Sequence, residues 1–234
     1  MKILESVFNL IFPEKYNCFI CGEKASFGLC RGCASNLPKI YGKTCKICGK
    51  KVSDEEELCI NCKSNKIYFD GCAVSCVYKE NAEKLIYLLK YQNQKVLAKP
   101  MAELMAGEIF KKGWKVDFVT FIPLHPERLK ERGYNQSELL ALYIGEFLGL
   151  KVSALLRRVK NTGSQTLLKA GERYENVREA FKVIGDVKGR SILLVDDILT
   201  TGATLNEASR VLKENGASFV YGAVFASGLI EKMY

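Results

Sequence analysis

The sequence has one histidine among its 234 residues, and it lacks both of the common glycine-rich nucleotide-binding motifs. There is no G-x-x-x-x-G-K-[ST] motif to hold the phosphates of ATP, and no G-x-G-x-x-G motif follows a strand. Nor does any internal run approach the roughly 18 apolar residues that a membrane span needs. We therefore expect neither a P-loop nucleotidase, nor a dinucleotide enzyme, nor a membrane-spanning protein.

Residues 1–12 are apolar but carry two charged side chains, and they lead into Pro13 without a small-residue cleavage site. This pattern is not that of a signal peptide. We expect Ile3 to Phe12 to form a short amphipathic helix that packs on the protein itself rather than on a membrane. The expectation is a cytoplasmic protein with no stable membrane insertion, in which thiols stay reduced.

Cysteine is abundant near the amino terminus, where eight of the ten cysteines form four C-x-x-C pairs. Two thiolates at this spacing hold one side of a tetrahedral metal, and two pairs complete a structural zinc site. We therefore predict two structural Zn²⁺ ions, in preference to disulfides or an iron–sulfur cluster. Pairing in sequence order or a cross-braced arrangement would both fit the spacing. The predicted ligands are Cys18, Cys21, Cys30, Cys33, Cys45, Cys48, Cys59 and Cys62.

Beyond these pairs, hydrophobic periodicity predicts strands that alternate with helices. This alternation is typical of an α/β fold, a mainly parallel sheet with helices on both faces. Cys72 and Cys76 fall in the first strand, where we expect small buried side chains rather than metal ligands. The predicted strands are Asp70–Tyr78, Val116–Pro123, Val152–Leu155, Ser191–Val195 and Phe219–Phe225. The predicted helices are Ala82–Tyr91, Val96–Lys112, Gln136–Leu148 and Thr204–Asn215.

Two adjacent acids, Asp196 and Asp197, follow the apolar run Ile192 to Val195, and three threonines around Gly202 come next. Open α/β sheets bind ligands at the carboxyl ends of their strands, and a helix start attracts anions such as phosphate. The acids suit vicinal hydroxyls and the threonine loop suits a phosphate, so a ribose 5-phosphate fits both. The alternative is an Asx turn with a threonine cap.

The segment V-D-D-I-L-T-T-G-A-T, Val195 to Thr204, resembles the phosphoribosyl pyrophosphate (PRPP) motif of type I phosphoribosyltransferases. Three upstream segments and the cysteine-rich segment are similar to the ComF family of competence-associated proteins, including its GntX-like members. These segments are P-L-H-P-E-R-L-K-E-R-G-Y-N-Q at Pro123 to Gln136, S-Q-T-L-L at Ser164 to Leu168, and R-Y-E-N-V at Arg173 to Val177. The resemblance covers nearly the whole chain.

The resemblance implies a type I phosphoribosyltransferase-like fold that binds PRPP with Mg²⁺. The boundary is expected near Ser64 to Lys66, after the last C-x-x-C pair and before the strand-like stretch that begins at Ile67. Residues 1–66 would then hold the short helix and a double zinc-ribbon-like domain, and residues 67–234 a phosphoribosyltransferase-like domain. The resemblance assigns the ribose hydroxyls to the catalytic acids Asp196 and Asp197. It assigns the 5-phosphate to the loop formed by Thr200, Thr201, Gly202, Ala203 and Thr204.

Two further loops are expected to reach the same edge of the sheet. The first, Pro123 to Gln136, corresponds by resemblance to the pyrophosphate loop and is rich in cations; the second, Arg157 to Asn176, suits a mobile lid or else a solvated connector. The expected residues of these loops, with a lysine that the family motif includes, are Lys90, Arg128, Arg132, Gly133, Asn135, Gln136, Arg157, Gln165, Arg173 and Asn176. For His125 we favour a role in positioning the loop over one as a general base.

The function stays open between two classes. In the first, the protein binds PRPP and handles single-stranded DNA in the cytoplasm, with a DNA-translocating helicase as a further partner. The resemblance implies this DNA role, because ComF family members are linked to natural transformation. The alternative is a phosphoribosyltransferase that uses PRPP and Mg²⁺ to modify a small molecule or a nucleobase. A formal net charge of +9 is compatible with nucleic-acid binding and does not require it.

Overall fold

The fold is built around a five-stranded sheet in which every neighbouring pair of strands is parallel. The computed structural model describes residues 16–162 and 170–228. From edge to edge the strands are β3 (Gly71–Val77), β9 (Phe219–Ser227), β8 (Ser191–Leu199), β4 (Phe118–Phe121) and β5 (Lys151–Val152). The central strands are apolar on both faces because helices cover the sheet on both sides. The predicted α/β fold is confirmed.

Two short antiparallel pairs lie outside this sheet. One joins β1 (Tyr16–Asn17) to β2 (Lys24–Ala25) in the cysteine-rich segment, and the other joins β6 (Leu156–Arg158) to β7 (Phe181–Val183). A 3₁₀ turn at Lys95–Leu97 leads into the fourth helix. The helices are α1 (Arg31–Ser35), α2 (Ile60–Ser64), α3 (Asn81–Tyr91), α4 (Ala98–Lys112), α5 (Pro126–Arg132), α6 (Gln136–Leu148), α7 (Ala170–Val177) and α8 (Ala203–Glu214).

Two hydrophobic cores lie on opposite faces of the sheet, because alternate residues of a strand point to opposite sides. Leu193 and Val195 of β8 pack with α3, α4 and α6, and this core also contains Cys18 of the cysteine-rich segment. Ile192 and Leu194 pack with α8 and with four cysteines further along that segment. The two halves of the cysteine-rich segment therefore contribute to different cores.

The structure corrects several local predictions. The expected strand Val152–Leu155 has the wrong bounds: the strand in the sheet is Lys151–Val152, and the chain then leaves the sheet and forms β6, which pairs with β7. The loop Pro123 to Gln136 contains helix α5, and the second loop ends in helix α7. Strand β8 extends to Leu199, so both acids lie within it rather than after it. The predicted helix Ile3 to Phe12 lies outside the described residues.

Most of the other predicted elements are present, and α6 has the predicted bounds of Gln136–Leu148. Its apolar side chains recur at helical spacing, and the side chain of Asn135 accepts a hydrogen bond from the Ser137 backbone N–H at 3.0 Å. This contact caps the helix in the way that asparagine is known to favour. Across the described ranges, no helix has both the length and the apolar character needed to cross a membrane.

Candidate functional site

Four thiols come together at each of two places in the cysteine-rich segment. Cys18, Cys21, Cys30 and Cys33 form the first group, and Cys45, Cys48, Cys59 and Cys62 form the second, with all Sγ atoms of a group within 4.8 Å of one another. The Sγ–Sγ distance is 3.7 Å between Cys21 and Cys30, and 3.5 Å between Cys48 and Cys59. Tetrahedral zinc with Zn–S bonds of about 2.3 Å requires Sγ–Sγ distances of about 3.8 Å.

These groups therefore fit Zn²⁺, and the pairs are used in sequence order rather than cross-braced. All four thiols of the second group are buried, whereas Cys21 of the first group is exposed. Cys72 and Cys76 belong to neither group and are buried in β3, where burial raises the pKa of each thiol to about 12. They are small core residues, as predicted.

The acid pair lies at the carboxyl end of β8, facing helices α3 and α6. Lys90, at the end of α3, places its Nζ 2.5 Å from Asp197 Oδ2, and both side chains are largely buried. Gln136 Nε2 donates to Asp197 Oδ1 at 3.4 Å. Burial lowers the pKa of Lys90, but the charges of Asp197 and Asp196 outweigh burial and raise that pKa above its usual value. Lys90 is thus held as a cation against the acids.

Asp196 has a different environment from its neighbour. Its Oδ1 accepts hydrogen bonds from Ser137 Oγ and from the backbone N–H of Asp197, each at 2.9 Å. Burial, reinforced by the charge of Asp197, raises the pKa of Asp196 to about 7, although Lys90 and the two hydrogen bonds oppose the rise. The pair therefore combines one carboxylate bound to a cation with one carboxyl that is poised to ionise near neutral pH.

A cavity of about 440 Å³ opens above the acid pair. Cationic side chains from four different elements line it, which makes the cavity suited to an anion. Its polar lining residues are Lys90, Arg128, Arg132, Gln136, Arg158, Arg173, Asp196, Asp197, Thr200 and Thr204. Two carboxylates, one already paired with Lys90, can provide part of a magnesium site, and Mg²⁺ commonly takes its remaining ligands from water and substrate phosphates.

The loop Pro123 to Gln136 provides two of these cations. Arg128 and Arg132 of α5 line the cavity, and Arg132 Nη1 donates to Gln136 Oε1, which fixes its direction. Gly133 ends α5 with a left-handed backbone (φ 77°), a conformation that favours glycine. Asn135 does not line the cavity; it caps α6 and donates from Nδ2 to the Ile122 carbonyl at 2.9 Å, which anchors the loop to the end of β4.

In the second loop, the arginine that lines the cavity is the neighbour of the predicted one. Arg157 is exposed, whereas Arg158, the next residue in β6, lines the cavity with Arg173 of α7. Burial, with the nearby charge of Arg128, lowers the pKa of Arg158, as expected where cations converge. Asn176 lies in α7 and is not among the described residues that line the cavity. Gln165 lies outside the described residues.

The threonine loop connects β8 to helix α8. Gly202 is at the N-cap with φ 85°, which lets the chain turn sharply into α8. Thr200 and Thr204 line the cavity, and Thr201 Oγ1 accepts from the Ala203 N–H at 3.3 Å. The loop and the helix start thus offer hydroxyl and N–H donors beside the acids.

His125 is at the N-cap of α5, with its Nδ1 3.8 Å from Glu127 Oε2. It is not among the described residues that line the cavity, and its place at the helix start agrees with a positioning role. Sequence reasoning missed Arg158, Ser137 and the two tyrosines Tyr87 and Tyr91 at the cavity mouth. The sequence motifs do not indicate these residues. Which side chains reach the cavity depends on the face of the strand they occupy and on how the helices pack.

Comparisons with known proteins agree with this arrangement. Residues 7–63 match a double zinc ribbon domain, and residues 147–233 match a phosphoribosyl transferase domain. Competence protein F of Haemophilus influenzae is 31% identical over 201 residues, covering 82% of this chain and 87% of the relative. Competence protein ComFC of Streptococcus pneumoniae is 31% identical (82% and 84%), and DNA utilization protein YhgH of Escherichia coli K12 is 27% identical (87% and 93%).

Partial matches among solved structures include the glutamine PRPP amidotransferase of B. subtilis, at 22% identity and a TM-score of 0.37. That match covers 53% of this chain and 25% of the amidotransferase chain. A purine phosphoribosyltransferase of Pyrococcus horikoshii is 16% identical, with a TM-score of 0.36, and the match covers 56% and 72%. With two groups of four cysteines, a parallel sheet and relatives matched over most of their length, the chain belongs to the ComF family, which joins a double zinc ribbon to a phosphoribosyltransferase domain.

Proposed function

We propose that this protein binds PRPP, together with Mg²⁺, in the cavity at the carboxyl edge of the sheet. One observation carries the proposal: the acid pair, the threonine loop and a group of arginines from separate elements all line the same cavity. A ribose with a phosphate at one end and a diphosphate at the other needs these three kinds of group: hydroxyl and N–H donors for the phosphate, carboxylates for the ribose hydroxyls and cations for the diphosphate. Capped turns alone would not bring them together.

In this proposal each part of the site has a defined task. Asp196 and Asp197 accept hydrogen bonds from the ribose hydroxyls, and the loop at Thr200 to Thr204 binds the 5-phosphate with hydroxyl and N–H donors. Arg128, Arg132 and Arg158 stabilise the diphosphate, for which arginine is well suited because it stays charged and donates in pairs. Bound Mg²⁺ supplies further neutralisation of the diphosphate charge. Lys90 holds the Asp197 carboxylate in position.

We further propose a role in natural competence, in which the protein handles single-stranded DNA in the cytoplasm. Relatives named competence protein F and DNA utilization protein support this role. Tyr87 and Tyr91 line the cavity mouth with 53% and 61% of their surface exposed, and Arg132 lies over the Tyr91 ring at 5.3 Å. Exposed aromatic rings beside cations are what single-stranded DNA uses for base stacking and backbone contact.

The domain division that we propose is residues 1–66 for the zinc module and residues 67–234 for the phosphoribosyltransferase domain.

A DNA-translocating helicase is the protein partner that we expect for the role in natural competence. Steep salt dependence of single-stranded DNA binding, weakened by Tyr91→Ala, would support the DNA part of the proposal. Binding that is insensitive to both salt and Tyr91 would contradict it.

The PRPP part is tested by calorimetric titration of PRPP with Mg²⁺ into the wild type and into the Asp196→Asn, Asp197→Asn double variant. We expect binding to the wild type and a large loss of affinity in the variant, because the ribose hydroxyls lose their charged acceptors. Equal affinity in the two proteins would place PRPP elsewhere. Circular dichroism and zinc content of the variant serve as controls for folding.

A catalysed transfer of the phosphoribosyl group is the second candidate function. The open mouth beside Tyr87 and Tyr91 favours it, because a planar acceptor could approach the ribose there. Pyrophosphate release that depends on an added nucleobase and disappears in the double variant would support transfer. PRPP binding without such release would favour the binding role.

A further inference from the structure

The second group of cysteines is directly connected to the proposed 5-phosphate loop. Lys50, which follows the Cys45 and Cys48 pair, donates from Nζ to the carbonyl oxygen of Thr200. Asn61, which lies between Cys59 and Cys62 in α2, donates from Nδ2 to the carbonyl oxygen of Thr201 at 3.0 Å. Two consecutive carbonyls of the loop are thus held from the cysteine-rich segment.

A third side chain, Tyr174, takes part in this contact. Tyr174 of α7 lies with its Oη 3.2 Å from the Thr201 carbonyl oxygen, and Asn61 Nδ2 donates to the same Oη at 3.0 Å. Asn61 therefore contacts both the loop and the helix that carries Arg173 into the cavity. A displacement of α2 would move both of these parts of the site.

The backbone orientation explains why these contacts matter for an anion. The carbonyls of Thr200 and Thr201 are fixed toward the second group of cysteines. In a trans peptide the N–H points away from the carbonyl of the same peptide unit, so the N–H groups of Thr201 and Gly202 point away from the cysteines. A phosphate needs these donors preorganised, since each donor that must be ordered on binding reduces the affinity. Rigid support of the carbonyl side of the loop is therefore a requirement for phosphate binding at its N–H side.

The positive charge of Lys50 has a second consequence for phosphate binding. A zinc ion with four thiolates carries a net charge of about −2, which repels a phosphate bound nearby. Lys50 is buried, with 8% of its surface exposed, and its ammonium group contacts the loop at the carbonyl oxygen of Thr200. Because a buried charge is screened far less than an exposed one, this cation offsets the repulsion at short range.

We propose that the second zinc site is a functional part of the ligand site, in which Lys50 and Asn61 are positioning residues that hold the 5-phosphate loop through its carbonyls. This inference rests on the proposed binding of PRPP. Its thermodynamic consequence is reciprocal: a ligand phosphate in the loop and zinc at the second site increase each other's affinity by the same factor.

The test uses two probes that separate the ends of PRPP. Ribose 5-phosphate reports on the 5-phosphate loop. Inorganic pyrophosphate with Mg²⁺ reports on Arg128, Arg132 and Arg158, which lie in α5 and β6 rather than in α7. We expect Asn61→Ala and Lys50→Met to weaken ribose 5-phosphate binding by about tenfold or more, and to leave pyrophosphate binding within about twofold of the wild type. Lys50→Arg retains the charge and is expected to restore part of the affinity.

Lys46→Met is the matched control, because Lys46 belongs to the same ribbon but is exposed and pairs with Glu57. It is expected to leave both affinities unchanged. Zinc affinity is measured in parallel by equilibrium competition with a chelator, with and without ribose 5-phosphate. The wild type should hold zinc more tightly when the ligand is present, and Asn61→Ala should remove this difference.

The outcomes are distinguishable. If the wild type binds neither PRPP nor ribose 5-phosphate, the proposed function itself fails. Suppose instead that the wild type binds both ligands, that Asn61→Ala and Lys50→Met bind them like the wild type, and that zinc affinity is the same with and without ribose 5-phosphate. The coupling is then refuted, and the proposed function stands. Asn61 is only half-buried, so its variant keeps the test valid should Lys50→Met fail to fold.

Discussion

Replacing Asp196 with asparagine is expected to stabilise the protein at alkaline pH. The folded protein raises the pKa of this carboxyl from 3.8 to about 7, chiefly through burial and then through the charge of Asp197. A group whose pKa is raised on folding contributes stability that is fully present below its unfolded pKa and is lost as the pH rises through its folded pKa. Ionised Asp196 therefore opposes folding.

The magnitude follows from the two pKa values. A rise from 3.8 to about 7 corresponds to a penalty of about 4 kcal/mol when the carboxyl is fully ionised. At about pH 5 only part of this penalty applies, so the difference in unfolding free energy between variant and wild type should grow by about 2.5 kcal/mol between about pH 5 and about pH 8. Asparagine keeps the acceptor that Ser137 and the Asp197 N–H use.

The assay is urea denaturation at the two pH values, with zinc content measured in each sample. Asp197→Asn is the control with the opposite sign, because Asp197 is paired with Lys90 and its loss leaves a buried cation without that partner. We expect this control to be less stable than the wild type. An Asp196→Asn variant whose stability relative to the wild type is the same at both pH values would refute the reasoning.

Three further predictions concern single contacts of the site. Lys90→Met leaves the Asp197 carboxylate buried without its cation and should lower the free energy of unfolding by about 3–5 kcal/mol in urea denaturation; a loss below about 1 kcal/mol would contradict the buried pair. Arg158→Ala should weaken PRPP binding by about tenfold or more in calorimetry, while Arg157→Ala, one residue away, should change it by less than about twofold. Gly202→Ala forces a left-handed backbone on alanine and should cost about 1–2 kcal/mol, visible as a lower Tm; an unchanged Tm would show that the loop relaxes.

The zinc ligands and the acid pair could be predicted because their signals are local. Two cysteines separated by two residues lie on one tight turn, and this geometry is set by the backbone alone. The position of Asp196 and Asp197 at the carboxyl end of β8 follows from the apolar run before them and the helical pattern after them. The boundary of α6 was predictable for the same reason, since Asn135 caps it.

Contacts between distant segments could not be predicted in this way. Whether Arg157 or Arg158 faces the cavity depends on which residues of β6 point to each side of the strand. Because β6 has only three residues, its apolar–polar alternation is too short to predict this. The prediction of a single strand at Val152–Leu155 failed because the chain there leaves one sheet for another.

The sequence by itself determined the α/β fold, the eight thiols and the acid pair with its threonine loop, because each depends on spacing within a few turns of chain. Only the tertiary structure decided that the thiols pair in sequence order, that Lys90 contacts Asp197, and that Lys50 reaches the Thr200 loop across 150 residues. The physical reason is that these contacts depend on how helices and ribbons pack against the sheet. Packing is a property of the whole folded chain rather than of any local pattern.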